Sequence, residues 1–160
     1  MVSEIGFGGE WLERHEFDES VGLIKYAQEQ GINIIDCWMP DPKSCDIIGE
    51  AIKGCRDKWY VQWHVGSTWQ NGQYVRTRDM KFVKSAFEDL LARLKSDYID
   101  LGMIHYIDSE EDWNKSMKGF LGISLYKHRT YFDTKAFSIC FPQLRNFLLK
   151  SALKGLFITS

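Results

Sequence analysis

The chain has 160 residues, enough for one domain with a core of its own, and its 44% hydrophobic and 26% charged content is ordinary for a globular protein. No apolar run approaches the roughly 20 residues a helix needs to cross a bilayer, and the first residues carry neither a cationic nor an apolar leader region, so no membrane partner and no secretory leader are expected. The net charge of −2 hides an asymmetry: residues 1–117 hold 13 Lys/Arg against 21 Asp/Glu, whereas residues 118–160 hold 7 Lys/Arg against Asp133 alone. The acidic first part argues against a nucleic-acid partner, and the change of sign marks two segments of different character. The four cysteines, Cys37, Cys45, Cys55 and Cys140, form no CxxC pair and no zinc-like spacing, which predicts reduced thiols and a cytoplasmic location.

Ser3–Gly9 predicts a first strand running into a glycine-rich turn. Phe17–Gly31 follows as a helix with Asp18 as N-cap, an inward face of Val21, Ile24, Tyr26 and Ala27, and Gly31 just past its end. Ile32–Asp36 predicts a second, buried strand that ends in a carboxylate. A loop broken by Pro40 and Pro42 leads to a helix over Ser44–Ile52, with Ile47, Ile48, Ala51 and Ile52 inward and Gly54 as its stop. Trp59–Val65 predicts a third strand and Ser67–Tyr74 a polar loop. Asp79–Lys95 is the strongest helix, with Phe82, Val83, Phe87, Leu90, Leu91 and Leu94 at helical spacing, and Tyr98–Tyr106 predicts a fourth strand. Beyond Lys118 the periodicity fails, except that Asn146–Ile158 has the composition of a basic amphipathic helix.

Strand followed by helix, repeated along the chain, specifies the α/β class and a parallel sheet built from right-handed crossovers. Units of about 25 to 40 residues suit either a doubly wound sheet or part of a (β/α)8 barrel. In both, chemistry gathers at the carboxyl ends of the strands, which makes Asp36 a candidate functional residue.

Four stretches resemble the aldo-keto reductase family: Ile5–Gly9 (IGFGG); Gly31–Gly49, with Asp36, Ser44 and Gly49 in step; Asp57–Gly66 (DKWYVQWHVG); and Phe87–His105 (FEDLLARLKSDYIDLGMIH). The resemblance covers residues 2 to about 117. It implies a partial TIM barrel of about four βα units out of eight over 1–117, with 118–160 standing apart, and an NAD(P)H-dependent oxidoreductase acting on small carbonyl compounds. The family handles its carbonyl with an aspartate, a tyrosine, a lysine and a histidine. Asp36 matches the aspartate and His105 the histidine, but Asp41 stands in the tyrosine position and His64 in the lysine position. The change falls on the proton donor and its activator. Tyrosine, with a pKa near 10, keeps a proton at neutral pH, whereas an ordinary aspartate near 3.9 has none to give. Either Asp41 is perturbed by its surroundings or His64 takes over the acid's role.

Gly9, Glu10 and Asp36 match family positions near the nicotinamide of NADP(H) or NAD(H), while the loops that hold the cofactor's phosphates and adenine follow later strands. Weak or absent cofactor binding is therefore expected, and a non-catalytic pseudoenzyme or binding module is the alternative to an enzyme. Asp36, Asp41, His64 and His105 have no metal-site spacing, so no metal is expected. A half-barrel has open sheet edges, which predicts self-association. The segment after Lys118 also carries a signature of its own. Ala136–Leu144 (AFSICFPQL), back-translated with one chosen set of codons and read one base later, gives HLAFASHN, which is similar to the family's fifth strand. The expectation is that Gly119–Ser160 is read out of frame, in a chain truncated relative to the family.

Overall fold

The structure, a computed structural model, describes residues 1–104 and 107–121. In chain order these form β1 (Phe7–Gly8), α1 (Phe17–Glu29), β2 (Ile34–Cys37), α2 (Pro42–Ala51), β3 (Tyr60–Val65), β4 (Ser67–Gln70), β5 (Gln73–Arg76), α3 (Met80–Leu94), β6 (Leu101–Ile104) and α4 (Glu110–Leu121). Strands β1, β2, β3 and β6 make one parallel sheet in that spatial order. Helix α1 packs on α2, and α2 on α3. This is the α/β arrangement of successive units of a (β/α)8 barrel, as the sequence predicts.

Local chemistry sets the helix ends. Helix α1 closes in a Schellman turn: Gly31, at φ 87°, donates to the Gln28 carbonyl (2.9 Å), and Ile32 donates to that of Ala27 (3.0 Å). Its N-cap is Glu16 and not Asp18, because the helix starts earlier and leaves Asp18 in the first turn, where a carboxylate suits the dipole. Helix α2 begins at Pro42, which has no N–H to lose at that position. Asp79 caps α3 by accepting from the Lys81 N–H (2.9 Å).

The core lies between the sheet and the helices and includes Ile24, Ile35, Ile47, Ile48, Val61, Trp63, Val83, Phe87, Leu90 and Leu94. A Cβ on Gly49 would run into the Arg93 carbonyl oxygen, so glycine is what lets α2 and α3 approach. Two aromatic residues expected inward are exposed, Tyr26 (59%) and Phe82 (46%). The helical period explains both. The buried rows are Val21–Ile24–Ala27 and Val83–Phe87–Leu90–Leu94, and Tyr26 and Phe82 fall outside them.

The largest correction concerns Ser67–Tyr74, expected as a polar loop. It is a hairpin of β4 and β5 turned by Asn71 (φ 52°) and Gly72 (φ 77°), the two positive φ angles of a type I′ turn. Asn-Gly between strand-forming residues carries that signal in the sequence. Paired strands also differ from expectation at their starts: β1 is confined to Phe7–Gly8, and β6 begins at Leu101 instead of Tyr98. Tyr106 and the segment Asn146–Ile158 lie outside the described residues.

Candidate functional site

Strand alternation sorts the side chains of β2 and β3 between two faces. Ile35, Cys37, Val61, Trp63 and Val65 turn toward the helices and are buried, whereas Ile34, Asp36, Tyr60, Gln62 and His64 take the opposite face. The parallel register sets Asp36 beside Gln62, and His64 is the next residue along β3 on that face. Two side chains converge on one carboxylate oxygen: His64 Nε2 lies 3.0 Å from Asp36 Oδ1, and Gln62 Nε2 lies 3.2 Å from the same atom. His64 is 7% exposed, while about a third of the Asp36 side chain remains open to solvent. The cluster stands at the carboxyl ends of the parallel strands, where α/β folds place their chemistry.

Gln62 presents its amide N–H to Asp36 Oδ1. His64 Nε2 lies 3.0 Å from that oxygen and 3.4 Å from Gln62 Nε2, so it gives a proton to Asp36 in one ring tautomer and receives one from Gln62 in the other. Gln62 was absent from the sequence-based candidates, yet its place two residues before His64 on one strand puts it on the same face.

The structure brings Asp36 and His64 together but gives Asp41 a different task. Asp41 immediately precedes the Pro42 that opens α2, and its carboxylate accepts from the Ser44 N–H (3.0 Å) as the helix cap. The residue in the proton donor's sequence position is thus engaged by the backbone. His105 lies outside the described residues. Gly9 donates its N–H to the Asp36 carbonyl (2.9 Å), and a Cβ there would collide with that carbonyl oxygen, so Gly9 serves close packing of β1's end against β2. Glu10 is exposed. The glycine-rich turn leads into the single 3-10 turn Leu12–Arg14, and α1 starts at Phe17.

Around this cluster, the loop after β2 sends Trp38 to stack on Tyr74 of β5, with ring centroids 5.5 Å apart at 22°. Trp11 and His15 are exposed, and the Arg14 guanidinium sits over the Trp11 ring at 3.4 Å. Cys37, next to Asp36, points to the helix side. Burial drives its thiol pKa well above the ordinary value, and Cys45 and Asp36 add to that, as suits a small buried residue and not a nucleophile. A cleft of about 240 Å³ lined by Cys37, Cys45, Trp63, Trp69, Phe82 and Asp89 opens on that helix side, behind the sheet from Asp36. Among the described residues no three His, Cys, Asp or Glu side chains gather as metal ligands.

A parallel sheet of adjacent βα units, with an aspartate and a histidine paired at its carboxyl edge, is a segment of an α/β barrel with a polar cluster where that fold places its sites. The sequence model of the Aldo/keto reductase family matches residues 4–137, and the chain belongs to that family. The match runs past Lys118, where the composition changes. The aldo-keto reductase YhdN of Bacillus subtilis is 34% identical over 93 residues, which is 56% of this chain and 28% of YhdN. An aldo-keto reductase from Bacillus halodurans in its holo form shares the fold, with a TM-score of 0.74 and 24% identity over 93% of this chain and 50% of that one. An aldo-keto reductase from Klebsiella pneumoniae solved in complex with NADPH superposes with a TM-score of 0.61 and 20% identity, covering 84% of this chain and 47% of its own. The chain spans well under half the length of the curated relatives it matches (40% and 28%).

Proposed function

We propose that this chain carries the carbonyl-binding part of an NAD(P)H-dependent aldo/keto reductase site, with His64 and Asp36 as its working pair. The supporting observation is the 3.0 Å contact between His64 Nε2 and Asp36 Oδ1 on the open face of the sheet. A carbonyl oxygen on the open face beside Asp36 can meet the second amide hydrogen of Gln62 Nε2, because a hydrogen on His64 Nε2 is already given to Asp36 Oδ1. That amide hydrogen polarises the carbonyl, and His64 holds the carboxylate of Asp36 in place beside it. His105, the family's carbonyl-orienting histidine by sequence position, belongs to the same reading.

NADPH accompanies the solved Klebsiella relative, whereas the family loops that hold the cofactor's phosphates follow strands later than those described here. We therefore assign these 160 residues carbonyl binding without turnover of their own. The engagement of Asp41 as a helix cap supports a second reading, a non-catalytic binding module that has lost the proton donor of its family. NADPH binding followed by fluorescence, with a small aldehyde added, separates the two. No saturable NADPH binding and no turnover are expected for the intact chain. Acetophenone, a simple ketone added without NADPH so that it cannot be reduced, should bind at least about tenfold more weakly to His64→Ala, as the loss of a charge-capable hydrogen bond predicts. NADPH-dependent turnover that survives His64→Ala, or acetophenone binding indifferent to it, would overturn the assignment.

A further inference from the structure

Helix α3 carries two stripes of side chains. Val83, Phe87, Leu90 and Leu94 are buried in the core, and beside them Phe82, Ser85, Ala86 and Asp89 follow at helical spacing and line the cleft on the helix side of the sheet. The small side chains of Ser85 and Ala86 leave room between α3 and the β4–β5 hairpin, and the cleft there holds about 240 Å³. Trp63 of β3 and Trp69 of β4 line it as well, so two indole rings border one small space. Phe82, which core packing leaves exposed, joins them as a third aromatic residue of the lining.

The hairpin side of the cleft is held in place. Thr68 donates its hydroxyl across the ribbon to the Val75 carbonyl at 2.8 Å and accepts from Gln70 Nε2 at 2.9 Å. Arg78 grips Asp112 through two nitrogens at 2.9 and 3.2 Å, tying the hairpin's base to the start of α4. Of the described residues that line the cleft, Asp89 alone is ionised at neutral pH. The thiols of Cys37 and Cys45 stay protonated, because burial raises both pKa values. Asp89 accepts from Arg93 Nε through Oδ2 at 2.8 Å, and its Oδ1 has no hydrogen-bond partner among the described residues. Arg93 also gives Nη1 to both oxygens of Asp46, at 3.0 and 2.9 Å. Asp46, Asp89 and Arg93 thus sum to one negative charge, with the free carboxylate oxygen on the residue that lines the cleft.

We propose that this cleft binds a small aromatic primary amine, with its ring among Trp63, Trp69 and Phe82 and its ammonium group on Asp89 Oδ1. The three aromatic residues offer a ring edge-to-face or offset-stacked contacts and offer the cation their π faces, while the uncompensated carboxylate selects a positive charge over a negative one. A volume of about 240 Å³ lies just below the range of drug-sized sites and suits a ligand of one ring and a short chain, such as 2-phenylethylamine. The inference is independent of the carbonyl-site reading, because the cleft lies behind the sheet from Asp36.

The test titrates the 15N-labelled 160-residue chain at pH 7 with 2-phenylethylamine, with 2-phenylethanol of the same shape but no charge, and with phenylacetate of the opposite charge. The amine moves the Trp69 indole and Ala86 amide resonances and saturates at submillimolar to millimolar concentration, as a fragment-sized ligand does. The alcohol binds more weakly and the acid more weakly still. Asp89→Asn weakens the amine roughly two- to fivefold, the range for an ion pair open to solvent, and leaves the alcohol unchanged. The Asp89 side chain is more than half exposed, so this variant keeps the fold. Phe82→Ala, also at an exposed position, weakens all three ligands. Equal affinity for amine and acid, amine binding indifferent to Asp89→Asn, or shifts at His64 in place of Trp69 and Ala86 would overturn the inference. So would the absence of saturable amine binding at millimolar concentration, which the labelled wild-type chain reports without any variant. Acetophenone binding at His64 bears on the carbonyl site alone.

Discussion

The two faces of the β1-β2-β3-β6 sheet are built on different rules, although they share the same strands. Toward the helices, Ile35, Cys37, Val61, Trp63 and Val65 are buried, and Trp63 packs on Phe87 with ring centroids 5.1 Å apart. On the opposite face the same strands present Asp36, Gln62 and His64, joined by polar contacts of 3.0 to 3.4 Å. Because side chains alternate along a strand, adjacent residues serve unrelated ends: Trp63 serves packing, and Gln62 and His64 on either side serve the site. One face is legible as ancestry and stability, the other as chemistry.

Adjacent substitutions measure that contrast. Trp63→Ala opens a cavity in the packed face and should lower stability by about 3–5 kcal/mol in denaturant unfolding. Gln62→Ala, one residue away, should cost about 1 kcal/mol or less, because the amide is half-exposed and its contacts to Asp36 and His64 are long, at 3.2 and 3.4 Å. Equal losses for the two would erase the distinction between the faces.

The hairpin's anchor gives the next effect. The Arg78–Asp112 pair is largely buried, with side-chain exposures of 14% and 19%. Burial by itself would raise the Asp112 pKa, but the hydrogen bonds and charge of Arg78 outweigh it, so the carboxyl lies below its ordinary value. A lowered folded-state pKa gives stability that is present above the unfolded pKa of about 3.9 and is lost as pH falls through the folded value. Asp112→Asn should cost about 1–3 kcal/mol at pH 7 and should remove this part of the acid sensitivity. An unchanged acid limb in Asp112→Asn would contradict the assignment.

The thiols offer a smaller, qualitative contrast. Burial pushes Cys45 up to about 12 and Cys37 well above its ordinary value, whereas Cys55 is half-buried. Under native conditions at pH 8, iodoacetamide should modify Cys55 ahead of Cys37 and Cys45, which react only on unfolding, as mass spectrometry of the peptides would show. The sign for stability is the reverse of that for Asp112. Raised thiol pKa values favour the folded chain fully below the unfolded thiol pKa near 8.5, and the advantage declines as pH rises above it. Early labelling of Cys37 would place it outside the packed face.

How much of this the sequence shows depends on the kind of signal. The helices were legible because Val21–Ile24–Ala27 and Val83–Phe87–Leu90–Leu94 repeat at helical spacing, and Gly31 and Asp79 mark their ends as cap chemistry requires. Tyr26 and Phe82 misled because apolar character was counted without its angular position. The hairpin was missed because its polar composition outweighed the Asn71-Gly72 turn signal. Asp36 and His64, both candidates in the sequence, stand 3.0 Å apart in the structure, while Pro42 makes Asp41 a helix cap. Gln62 escaped because strand register, rather than spacing along the chain, places it beside Asp36. The out-of-frame reading of Gly119–Ser160 concerns mostly residues outside those described. It predicts a one-base shift near Lys118 in the coding gene, and an uninterrupted family-like reading there would refute it.

The most direct test of the Asp36–His64 pair is the nuclear magnetic resonance signature of 15N-labelled histidine in the intact chain. The account predicts a proton on His64 Nε2, His64 resonances that move on addition of acetophenone, and loss of that response in Asp36→Asn. A His64 protonated on Nδ1 alone, with signals unmoved by the ligand and unaffected by Asp36→Asn, would contradict it.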